Sequence, residues 1–207
     1  MGTTTKRTAQ RKPHHHGDLR EALIQAGIEL LAEHGAAGLT LRRCAARAGV
    51  SHAAPAHHFD GLEGLLTTIA ARGFSLFTEL MIKERQNSGG GPRKRLLAIC
   101  RGYLAFAENN RSLYNLMFSS ERLSYCDSEL EAASAAAYQV LADGCAPFKH
   151  GPGGAAGTEI MIWSLLHGFA GLSQKARQSD DQHPMADIRL EDIIPQLELS
   201  ATRGQPR

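Results

Sequence analysis

Thr40-Leu41-Arg42-Arg43-Cys44-Ala45-Ala46-Arg47-Ala48-Gly49-Val50-Ser51-His52-Ala53-Ala54-Pro55-Ala56-His57-His58-Phe59 is the stretch whose punctuation decides the fold. Thr40 can cap a short helix with Leu41, Cys44, Ala45 and Ala48 on its inward face and Arg42, Arg43 and Arg47 pointing outward. Gly49 permits a left-handed turn, Val50 is available to plug the angle between two helices, and Ser51 can cap a second short helix running to Phe59. Pro55 falls near the fourth position of that helix, where it removes one early backbone donor at most, so the helix is expected to continue through it. Helix, tight glycine turn, helix is the form that lays its second helix in the DNA major groove. Ala45 is small because the second helix crosses directly over it. An ordinary helical hairpin has the same outline. Three outward arginines, a basic segment upstream and the small or hydrogen-bonding side chains of His52, Ala53, His57 and His58 favour DNA instead.

Outward from this stretch every periodic segment is helical. Leu19, Leu23, Ala26, Leu30 and Leu31 mark a helix over 18–34, stopped by Gly35. After Asp60-Gly61 a longer helix carries Leu62, Leu65, Leu66, Ile69, Phe74, Phe77 and Met81 to about Arg85, and Asn87 to Pro92 reads as a linker. Further helices are expected around Leu96–Ala107, Leu113–Phe118, Ser128–Ala146, 155–177 and Leu190–Leu199, the last interrupted by Pro195. No alternating strand pattern competes, so the fold class is all-α, with about nine helices.

Composition removes several function classes. The chain has 207 residues and a formal net charge of +2. No apolar run reaches the ~18 residues of a membrane span, since Ile160–Leu172 is broken by Ser164 and His167. Met1–His16 has no apolar segment of the signal-peptide kind, so a cytoplasmic protein is expected, with no membrane partner. Cys44, Cys100, Cys126 and Cys145 are far apart, which argues for reduced thiols rather than a zinc ribbon or disulfide framework. No nucleophile–base pair, metal set or phosphate-cradling glycine loop is recognisable, so no catalytic residue, metal or cofactor is expected. The charge is uneven: residues 1–60 hold eight basic and five acidic residues, a net of +3, and the remainder a net of −1.

The chain resembles the TetR family of transcriptional regulators at His15-His16-Gly17-Asp18-Leu19-Arg20-Glu21-Ala22-Leu23, at Gly38 through Arg42, at Ala48-Gly49-Val50-Ser51, and at Pro55, His58 and Phe59. Trp163-Ser164-Leu165-Leu166-His167-Gly168 resembles the Trp-His-Gly signature of one of that family's carboxy-terminal domain types. The resemblance implies a three-helix DNA-binding domain joined by a long fourth helix to a helical effector-binding and dimerisation domain. It also implies a repressor released from operator DNA by a small apolar or aromatic effector. The alternative is an all-helical enzyme or scaffold in which the helix-turn-helix only packs. Two positions depart from the family pattern: Ala56 stands where a Tyr is usual and Leu62 where a Lys is frequent. Both side chains commonly meet phosphates, so their loss implies a shallow salt dependence of binding.

The expected division is a basic arm over 1–16, a DNA-binding domain over 17–77 with its helix-turn-helix at 40–59, an effector and dimerisation domain over 78–200, and a tail over 201–207. Thr40, Arg42, Ser51, His58 and the Leu62 amide are expected near phosphates, and His52, Ala53 and His57 near base edges. Phe77, Met81, Tyr103, Phe106, Tyr114, Met117, Trp163 and His167 are the candidate effector contacts. The 155–177 helix is apolar nearly all round, so together with the last helix it is expected to pair with a second copy.

Overall fold

The structure, a computed structural model, describes residues 16–176 and 188–200. The expected 1–16 arm lies outside these residues apart from His16, as does the 201–207 tail. Eight helices follow in order: α1 (His16–His34), α2 (Leu41–Arg47), α3 (Gly61–Asn87), α4 (Pro92–Asn109), α5 (Arg111–Ser119), α6 (Ser128–Cys145), α7 (Gly154–Ala176) and α8 (Leu190–Ile193). Two 3₁₀ turns, Ala36–Gly38 and Ala54–His57, flank α2. Among the described residues the one extended pairing is an isolated antiparallel bridge between Phe148 and Leu199.

The helix expected from Ser51 to Phe59 is instead that single 3₁₀ turn. Ala54 N donates to Ser51 O at 3.0 Å, Ala56 N to Ala53 O at 3.3 Å and His58 N to Pro55 O at 3.0 Å. Pro55 is the cause. It has no N–H for the Ser51 carbonyl, and in α geometry its ring would collide with that same carbonyl. The last helix is shortened by related physics: Pro195 pushes Ile194 to an extended backbone, with ψ of 121°, and α8 stops after four residues.

α3 is the spine. Leu65, Leu66, Ile69, Ala70, Phe74, Phe77 and Met81 are buried along it, against α1 and α2 near its start and against α4, α5 and α6 further on. By length and composition α3 could cross a membrane, yet this apolar surface is taken up by the core. The α3–α4 contact is close enough to need a glycine. A Cβ on Gly102 would lie 2.9 Å from Met81 Cα and 3.2 Å from Leu80 O, both backbone atoms that cannot step aside.

Candidate DNA-binding surface and effector cavity

Local sequence builds the first site. The Thr40 side chain caps α2 by accepting from Arg43 N at 3.2 Å. Cys44 and Ala45 are fully buried beneath the turn, and Gly49, at φ of 69°, supplies its left-handed residue. Val50 N then closes the turn onto Ala45 O at 2.9 Å. Thr40, Arg42, Ser51, His52, Ala53 and His57 are all exposed on this side of the molecule, whereas His58 is half-buried beside Phe59. The Leu62 side chain packs on the core, and its amide lies in the first turn of α3, where no intrahelical acceptor exists.

The three outward arginines part company. Arg47 donates to Glu33 of α1 at 2.8 and 2.6 Å and to Glu29 at 3.4 Å, which holds the Glu33 carboxyl below its ordinary pKa. Arg43 donates to Gly38 O at 2.5 Å. The Arg42 side chain makes no hydrogen bond among the described residues and is exposed.

The second site is a cavity of about 270 Å³ walled by α3 to α7. Phe77, Met81, Tyr103, Met117 and Trp163 line it, as do Phe74, Phe118, Tyr125, Ser134, Ala137, Tyr138 and Leu141, which were not among the candidate contacts. Phe106, Tyr114 and His167 stand one layer back. The Phe106 ring lies 5.1 Å from that of Phe77. Tyr114 Oη lies 2.8 Å and Tyr103 Oη 3.0 Å from His167 Nδ1, and the two phenol oxygens are 3.1 Å apart. Burial raises the pKa of both phenols and lowers that of His167, so the cluster is uncharged near neutrality. Among the described residues no group of three or more His, Cys, Asp or Glu side chains could hold a metal ion.

α7 has two working faces. Trp163 and His167 point inward. On the other side Ile160, Met161 and Leu172 are 48%, 42% and 53% exposed. Gly157, Gly168 and Gly171 lie among them with open space where a Cβ would be. α8, reduced to one turn, buries Leu190 and has no comparable apolar face.

Residues 23–75 match the family model described as "Bacterial regulatory proteins, tetR family", and residues 96–193 match "Tetracyclin repressor-like, C-terminal domain". The chain belongs to the TetR family of transcriptional regulators. The HTH-type transcriptional regulator BetI 1 of Chromohalobacter salexigens is 31% identical over 94 residues, 45% of this chain and 46% of its own length. The chain thus matches about half the length of that curated TetR relative. A solved structure of a protein of unknown function from Rhodococcus sp. RHA1 has 29% identity and a TM-score of 0.71, covering 84% of this chain and 91% of the other. LfrR of Mycobacterium smegmatis, a TetR-like regulator solved with proflavine, shares the fold at 18% identity and a TM-score of 0.56, covering 76% and 85%. BetI 1 and LfrR are regulators by name, and the family to which the chain belongs is one of regulators and not of enzymes.

Proposed function

We propose that this TetR-family chain is a cytoplasmic homodimer that binds operator DNA through the 40–62 surface and represses until a small effector enters the cavity. The observation that carries the proposal is the continuity of α3. Its first turn abuts the 3₁₀ turn bearing His57, and Phe74, Phe77 and Met81 on the same helix form the cavity wall. A tilt of α3 imposed by an occupant therefore moves the DNA-facing turn. The effector needs only about 1–3 kcal/mol of differential affinity between two states to shift occupancy five- to 150-fold. The exposed face of α7 supports the dimer. Small residues at Gly157, Ser164, Gly168 and Gly171, with Met161 and Leu172 beside them, let a second α7 approach closely. The Trp-His-Gly reading gains a physical content here: Trp163 meets the cavity, His167 the phenols and Gly168 the open face.

A gel shift with the DNA upstream of the chain's own gene tests the proposal. Specific binding should survive competitor DNA, and Ser51→Ala with His57→Ala should weaken it without unfolding the chain. Equal binding to operator and competitor, or a monomer by sedimentation at micromolar concentration, counts against it.

A further inference from the structure

Among the described residues the cavity wall carries no charged side chain. An anion entering it would be desolvated without a partner and strongly disfavoured, and a cation would have only ring faces to offset its lost hydration. At about 270 Å³ the cavity falls just under the ~300–1,000 Å³ usual for drug-sized ligands, so its occupant is compact. The polar atoms of the wall are mostly committed. Tyr138 Oη donates to Glu159 at 2.5 Å and Tyr125 Oη to Ser120 O at 3.1 Å. Tyr103 differs. Neutral His167 offers at Nδ1 either one lone pair or one proton, while two hydroxyls compete for it at 2.8 and 3.0 Å. With Tyr114 donating to His167, the 3.1 Å contact lets Tyr103 donate to Tyr114, which leaves an acceptor lone pair on the Tyr103 oxygen, and of the two phenols only Tyr103 lines the cavity.

We infer that the cavity takes a compact, uncharged, largely apolar molecule bearing one hydrogen-bonding oxygen, which the Tyr103 hydroxyl recognises while Tyr114 retains His167. The inference rests on the effector reading above and refines it. Trp163, the chain's one tryptophan, lines the cavity and reports occupancy by its fluorescence.

The full chain is titrated with four probes of one shape, adamantanol, fluoroadamantane, adamantylamine and adamantane carboxylate, with calorimetry as second readout. Adamantanol should bind about three- to tenfold more tightly than fluoroadamantane, the worth of one hydrogen bond, and both ions more weakly than either. Tyr103→Phe should erase that preference while still binding fluoroadamantane, and Tyr114→Phe should preserve it. If Tyr103→Phe does not fold, the ranking of the four probes on the unaltered chain still decides. Equal affinity for adamantanol and fluoroadamantane, tightest binding of either ion, or no binding of any probe overturns the inference. Release of operator DNA is measured separately. Preferential binding without release leaves the ligand class standing and removes the effector reading; release without preference does the reverse.

Discussion

The DNA-facing end and the cavity half are stabilised by opposite means. On α2 the buried side chains are small, Cys44 and Ala45, set among buried aliphatics of α1 and α3 such as Leu23, Leu31, Leu65 and Leu66, and exposed ion pairs such as Arg47–Glu33 lie at the rim. In the cavity half, large rings meet edge to face, with centroids 4.9 Å apart for Phe77–Tyr103 and 5.3 Å for Phe74–Phe118, and the phenol–imidazole cluster is enclosed among them. The first end is closed by aliphatic packing, suited to presenting a fixed surface. The second surrounds an opening with groups that can shift against one another. Both share α3, so under the proposed function the adaptable half would set the position of the shaped one.

The largest effect is expected at the α7 face. A Cβ on Gly168 has nothing within 4 Å among the described residues, so Gly168→Leu should leave helical content unchanged while the dimer, and operator binding with it, is lost. A variant that still sediments as a dimer would place the interface elsewhere. Gly102→Val comes next, because its side chain runs into α3 backbone. A loss of about 3 kcal/mol in urea unfolding is expected, and a wild-type midpoint would show that α3 and α4 are not held rigidly.

Alkaline pH should destabilise the chain through its buried thiols, and burial raises the pKa of the Cys44 thiol of α2 as well as those of the cavity half. Burial pushes the Cys100 thiol up to about 12 and the Cys145 thiol to about 11, while an unfolded thiol titrates near ~8.5. Above that value the unfolded chain binds fewer protons than the native one, so stability falls as pH rises, by up to about 1.4 kcal/mol per unit for each thiol. Urea midpoints at neutrality and about one unit above ~8.5 check this, and an unchanged midpoint contradicts it.

The smallest effects separate the arginines. Arg42→Ala should flatten the plot of log affinity against log salt by about 0.9, and Ala56→Tyr with Leu62→Lys should steepen it by the same amount per contact. Arg47→Ala should leave that slope alone and change the urea midpoint little, since its partners are exposed carboxylates of α1. A slope altered by Arg47→Ala would mean that its pairing with Glu33 opens on DNA.

Much of the architecture was legible because it is local. The Thr40 cap, the Gly49 turn and the apolar stripe of α3 each follow from residues within a few positions of one another. The 3₁₀ turn was not, because it follows from the Pro55 ring against the Ser51 carbonyl, a steric conflict that helical spacing does not display. Arg47 reads as outward from helical phase, yet its partners Glu29 and Glu33 come from another helix. The cavity shows the same limit. Phe77 and Met81 announce themselves by spacing, whereas Tyr125 sits in a loop and Ser134, Ala137 and Tyr138 belong to an alanine-rich helix whose phase does not reveal its inward side. The meeting of Tyr103, Tyr114 and His167 joins positions 53 and 64 residues apart, beyond the reach of periodicity.

In the proposed dimer, α7 would have one subunit's cavity behind it and the other subunit's α7 in front, with Trp163 and Gly168 on opposite sides of a rod roughly 10–12 Å across. A molecule wedged against Trp163 would then be felt in the neighbouring subunit through the thickness of two helices. Such an arrangement governs the sharpness of a response more than its threshold: the second occupant meets a helix pair already shifted by the first, and the dose–response curve acquires a Hill coefficient different from one.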